Sequence, residues 1–192
     1  MDNQNLTDKP DAADVDISPL VHEGLVEAPL AEVWNVWATG AGLRQWMAPH
    51  AEIDLRVGGL MHANYHPDGQ LGDSQTIVNT VLSFEPMRMI SIKVVKAPDG
   101  FPFPNAITQM WSVIYFTAVD ANRTAVREVS LGFSADEESQ RMRAFFNKGN
   151  SVAFQEIKAF EDSLCATEIT EESRRRFVDH LNARSVHPRK SH

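Results

Sequence analysis

The chain has 192 residues, with 18 Lys and Arg against 26 Asp and Glu, and a formal net charge of −8. That length suits one domain with tails, and the acidic balance repels phosphate backbones, which sets nucleic acid aside as a partner. The single cysteine, Cys165, excludes an internal disulfide, and no stretch reaches the roughly 18 to 20 apolar residues of a membrane-spanning helix.

Residues 1 to about 16 carry five Asp and almost no large apolar side chain, so they read as a disordered acidic arm. The start also lacks the basic residues and apolar run of an export signal, which makes the cytoplasm the expected compartment. A folded domain is expected over 17–166. Pro19 to Ala28 alternates moderately and predicts a first strand. Pro29 suits the first position of a helix, and Val33, Trp34 and Trp37 form one apolar stripe along it. Gly40 and Gly42 are expected to break that helix, with a second short one from Leu43 to Met47 stopping before Pro49.

From Ala51 to Phe133 the apolar period becomes two, which predicts strands. Ile53, Leu55 and Val57 alternate with charged residues before Gly58-Gly59, a turn or bulge signal. Leu60 to His66 closes on the turn residues Pro67-Asp68-Gly69. Strands follow over Gln75 to Phe84, Met89 to Lys96, about Ile107 to Val119, and Thr124 to Phe133. Short connections between six consecutive strands predict an antiparallel meander. Ser134 and Glu137 have the spacing of a capping box, and an apolar stripe through Met142, Phe145, Phe146 and Phe160 to Leu164 predicts one long helix. Thr170 can cap a further short helix from Glu171 to Ala183, so 167–192 reads as an extra helix and a loose tail. The late basic cluster around Arg174, Arg175 and Arg176 has no aromatic platform and reads as a solvated face.

The order strand, two short helices, six strands, long helix predicts an α+β fold. In it a curved antiparallel sheet wraps the C-terminal helix, and the gap between them is a natural apolar cavity. The segments VEAPLAEVWNVWATGAGLRQWMAP (26–49), DLRVGG (54–59) and PDG (67–69) resemble the SRPBCC, START-like or birch-pollen-allergen-like superfamily. Within it they are most similar to the family named after the activator of the ninety-kilodalton heat-shock protein's ATPase. The resemblance spans about Val21 to Leu164 and implies the helix-grip fold. Its members include lipid carriers, cyclases, hydrolase-like proteins and co-chaperone domains, so the fold alone does not select an activity. Two departures stand out: Asn150 follows Gly149 where the family usually has Trp, and the helix after Leu164 goes beyond the family's end. That helix can cap a cavity mouth or build a homodimer contact.

Candidate chemistry is sparse. His62, Asn64 and His66 share one strand face, but Met61, Ala63 and Tyr65 are the apolar alternates expected to face the cavity. The His pair is therefore expected outside, and no metal site and no cofactor are expected. His50 reads as a surface histidine, and Cys165 as a buried structural thiol. The register of the last strand is open. In the family's register Val126, Glu128 and Ser130 face the cavity; otherwise Glu128 is solvated in the opposite register or paired across strands. An inward Glu128 would have a raised pKa and could act as a base or anchor a ligand amine. The residues expected to line a ligand are Trp46, Met61, Ala63, Tyr65, Trp111, Val113, Tyr115, Glu128, Phe146 and Asn150. The first expectation is a binding module for a small apolar or amphipathic molecule. A cyclase- or hydrolase-like enzyme using Glu128, Asn150 and Tyr65 in the same cavity is the second, and a co-chaperone-type interaction domain the third.

Overall fold

The computed structural model describes residues 15–148. Along them run β1 (Leu20–Val26), α1 (Leu30–Ala38), α2 (Gly40–Trp46), β2 (His50–Ile53), β3 (Leu60–Asn64), β4 (Ile77–Glu85) and β5 (Met89–Lys96). A 3-10 turn (Ala106–Thr108), β6 (Trp111–Ala118) and β7 (Thr124–Leu131) follow. A last helix, α3, is described over 137–148. The seven strands form one antiparallel sheet in the order β1-β7-β6-β5-β4-β3-β2. This is the α+β helix-grip arrangement. β1 and β2 are the two edges, so α1 and α2 carry the chain from one edge of the sheet to the other. Two register shifts between β4 and β5 mark where the sheet bends, because an extra residue on one strand increases local twist.

The first helices follow from their apolar spacing. Val33, Trp34, Val36 and Trp37 are buried on α1 and pack on Val26, Ile90, Ile114, Phe116 and Val126 of the sheet. The expected break is present at Thr39, which separates α1 from a second short helix, but Gly40 and Gly42 belong to that second helix. They lie inside α2, which starts at Gly40 with the Thr39 hydroxyl accepting from Gly42 N at 3.0 Å. Gly42 is needed for contact: a Cβ there would come within 2.4 Å of the Asn35 carbonyl oxygen and 2.5 Å of Val36 Cα. The two backbones touch where the helices cross.

The Gly58-Gly59 turn pairs with β4: Gly58 N donates to Val81 O and Val81 N to Gly59 O, each at 2.8 Å. The expected long strand from Ile107 begins only at Trp111, since Ala106–Thr108 coil into the 3-10 turn. The cap of α3 is also different from the expected capping box. Asp136 accepts from Ser139 N at 2.9 Å, while Ser139 Oγ accepts from Ser134 N at 2.9 Å. Glu137 instead reaches Arg141 on the exposed side, at 3.9 Å. The expected disordered arm before residue 15, Cys165, the remainder of the C-terminal helix and the 167–192 segment lie outside the described residues.

Candidate functional site

Strand pairing fixes which side chains share the face toward the helices. On β7 the inward set is Thr124, Val126, Glu128 and Ser130; their cross-strand partners on β6 are Ala118, Phe116, Ile114 and Ser112. On β1 the partners are Val26, Gly24, His22 and Leu20. Ile90 and Ile92 continue this face on β5, and Met61, Ala63 and Tyr65 line it near β3. Two apolar clusters occupy the ends of the face. One gathers α1 with Ile90, Ile114, Phe116 and Val126. The other gathers Phe145 and Phe146 of α3 with Leu20, Phe103, Ile107, Met110, Phe133 and Met142.

Between these clusters runs a polar band made of His22, Ser112, Glu128 and Ser130, with Tyr65 near it. Ser112 donates to the Glu128 carboxylate, and the Ser112 and Ser130 hydroxyls are 3.3 Å apart. Burial pushes the Glu128 carboxyl above the ordinary range, and the Ser112 bond only partly offsets it. Burial, with the nearby charge of Glu128, pushes the Tyr65 phenol up to about 12. Both groups are surrounded by protein, yet both keep accessible surface.

His22 stands directly across from Glu128 on the neighbouring strand, a position where Cβ atoms are roughly 5 Å apart. It is 8% exposed. Burial pulls its pKa down, opposed by a hydrogen bond to the Asn147 backbone on α3. The imidazole is thereby kept neutral at physiological pH. His22 was not among the expected site residues. Its signal in the sequence is its place two residues after Leu20 on an alternating strand, which puts both on one face.

Trp46 is half-buried at the margin of this face. It packs on Trp37 with ring centroids 4.6 Å apart and donates Nε1–H to Val36 O at 3.3 Å. The Trp37 N–H is buried and has no acceptor among the described residues. Phe146 is half-buried, 5.4 Å from Phe145 in an edge-to-face pair. Asn150 lies outside the described residues.

Trp111, Val113 and Tyr115 do not join the site. They alternate with Ser112, Ile114 and Phe116 and so occupy the other side of the sheet. Tyr115 is 40% exposed there, beneath the Arg127 guanidinium at 6.0 Å. The correction has a simple cause: β6 is apolar on both faces, so composition cannot orient it. His62 is on the outside as expected, with Nδ1 2.7 Å from Glu52 Oε1. Asn64 departs from that expectation. It is fully buried because residues 66–76 fold over it, and its Nδ2 donates to Asp73 and to Gln70 O. Among the described residues no group of His, Cys, Asp or Glu is placed to hold a metal ion, and no helix is long and apolar enough to cross a membrane.

Several solved structures share this fold. The Mesorhizobium loti protein MLL2253 is 17% identical, with a TM-score of 0.59 over 79% of this chain and 99% of that one. The Aha1 dimer from Colwellia psychrerythraea is 15% identical, with a TM-score of 0.55 over 73% and 92%. Norcoclaurine synthase from Thalictrum flavum, in complex with dopamine and hydroxybenzaldehyde, is 11% identical, with a TM-score of 0.54 over 82% and 92%. No curated protein matches the chain. At such identities these structures establish the fold alone. The family model described as activator of Hsp90 ATPase homolog 1-like protein matches residues 27–161, which takes in α1, the Gly58-Gly59 turn and every strand after the first; the chain belongs to that family.

Proposed function

We propose that this protein binds a small, largely apolar molecule in the interior, between the inner face of its sheet and its helices. One observation carries the reading: Glu128 is partly exposed on the inner face of the sheet, beside His22, Ser112 and Ser130 and between two apolar clusters. The two apolar clusters flanking the polar band would hold the body of the ligand, and the band would orient it. Within the expected lining set, Trp46, Met61, Ala63, Tyr65, Glu128 and Phe146 remain candidates on this side of the sheet, and His22, Ser112 and Ser130 join them. Cytoplasmic residence is part of the same reading. Native mass spectrometry of the purified full chain is expected to reveal a co-purifying small molecule, or uptake of an added apolar fluorophore with a blue-shifted emission. The absence of both a bound molecule and any uptake would refute it.

Catalysis in the same space is a second reading. It is favoured by the polar band, since a carboxyl whose pKa is raised by burial, beside a phenol and an imidazole, can exchange protons with a bound substrate. Norcoclaurine synthase has this fold and holds two small aromatic molecules. Turnover that survives replacement of both Glu128 and Tyr65 would count against it. The family name and the Aha1 dimer suggest a co-chaperone role and self-association. Stimulation of a chaperone's ATP hydrolysis, and the mass in solution by light scattering, test these two separately.

A further inference from the structure

We propose that the molecule held against this face carries a basic amine, and that Glu128 is its counter-ion. The inference rests on the reading that the interior binds a small molecule, and it names the chemical class.

No Lys or Arg among the described residues faces the Glu128 carboxyl. Arg127, one residue before it, points to the opposite side and is held by Glu23 at 2.7 Å. Lys93 lies on that same outer side, across from Trp111. Lys96 donates to Asp73 O at 3.0 Å, and Arg44 of α2 donates to Ala51 O at 2.7 Å. On α3, Arg143 reaches Asp16 at 2.6 Å and Arg141 lies over Phe103. Glu137 and Glu138 of α3 are engaged at Arg141 and at the 3-10 turn. Glu32 of α1 and Lys148 of α3 are solvent-exposed.

Among the described residues, the titratable groups that do face Glu128 are His22 and Tyr65. Burial keeps the imidazole neutral, and the phenol titrates only near 12. Among the described residues the carboxyl thus has the Ser112 hydroxyl as its donor and no cation beside it. A buried carboxylate without a cation is costly, and a protein with a bound partner for it avoids that cost only while the partner is present. An alkylammonium ion supplies the charge and three donors, which the carboxylate and the Ser130 hydroxyl can share. Ile92, Ile114 and the aromatic residues of the flanking clusters offer its hydrocarbon part an apolar bed. The class is therefore a small amphipathic amine: one apolar body, one ammonium head. A carboxylate ligand would meet like charge, and an alcohol would leave the ionised form unpaired.

The test uses octylamine, octanol and octanoate, three probes with one chain and different heads. Their affinities for the full chain are compared by isothermal titration calorimetry, at physiological salt so that exposed acidic groups are screened. At mildly alkaline pH octylamine is expected to bind at least about tenfold more tightly than octanol, with octanoate weakest. The preference should shrink as pH falls and Glu128 gains its proton, while octanol affinity changes little. In E128Q the octylamine affinity should drop to that of octanol, with octanol binding retained as proof of an intact interior. Octanol binding as tightly as octylamine in the wild type, or a preference that persists in E128Q, overturns the amine assignment and leaves the binding reading standing. Failure of all three probes to bind overturns both.

Discussion

At the scale of single residues, the energetics of the inner face are set by polar groups in an apolar setting. Glu128 has a folded-state pKa above its unfolded value. Between those two values the folded protein binds more protons than the unfolded one, so Glu128 costs stability as pH rises. Replacing it with Gln removes that cost. The E128Q protein without ligand is expected to melt at a higher temperature than wild type near neutral pH, with the difference vanishing in acid below the ordinary Glu range. Scanning calorimetry across pH checks this, and equal melting at all pH values would refute it. Thr124 presents the opposite case. It is fully buried, and its hydroxyl donates to Ala28 O at 2.9 Å, tying the end of β1's connection to β7. Thr124→Val keeps the shape and leaves that carbonyl unsatisfied. The expected loss is about 1–3 kcal/mol in urea unfolding.

Among elements, the tightest joint is the crossing of α1 and α2. Gly42→Ala places a methyl group against the Asn35 and Val36 backbone, which cannot swing aside as a side chain could. A loss of about 1–3 kcal/mol is expected, read from the denaturation midpoint. Another element held by named bonds is the connection between β3 and β4. Asp73 accepts from Gln70 N, Gln75 N, Asn64 Nδ2 and Thr76 Oγ1, and these bonds, led by Gln70 N, hold its pKa below the usual value. For a lowered carboxyl the stabilisation is present above the unfolded pKa and is lost as pH falls through the folded one. Amide hydrogen exchange over residues 66–76, taken relative to the intrinsic rate at each pH, is therefore expected to accelerate in acid for the wild type. In Asp73→Asn it should be fast already at neutral pH. Helix starts show the limits of sequence spacing at this scale. Ser134 and Glu137 have the spacing of a box, yet Asp136 makes the bond to Ser139 N, because the helix begins at 137 and the cap must sit one residue earlier.

For the whole molecule, long-range ties join the start of the domain to α3. Arg143 contacts Asp16 at 2.6 Å and the Ser18 hydroxyl at 3.3 Å, and Gln140 exchanges bonds with Asp16 at 3.1 Å. The Arg143 side chain is only 17% exposed, so its ion pair is less screened than a free surface pair. Arg143→Ala is expected to cost about 1 kcal/mol and to make the chain before β1 cleave faster in limited proteolysis. A cleavage rate equal to wild type would show that these ties do not hold the segment.

Much of this architecture is written in local pattern. The period-two runs, the turn residues Pro67-Asp68-Gly69 and the apolar stripe of α1 are local features, and backbone geometry reads them directly. The inward side of β3 was legible for the same reason: His62 between Met61 and Ala63 marks the wet face. β6 carries no such mark. Trp111, Val113 and Tyr115 are as apolar as Ile114 and Phe116, and only pairing with β7 and packing under α1 decide which set points inward. The facing of Glu128, its neighbour His22 and the asymmetry between the two sides of the sheet belong to the same class. A strand's alternation defines two faces from sequence alone, but which face meets the helices depends on contacts between residues far apart in the chain, and those exist only once the sheet has closed over them.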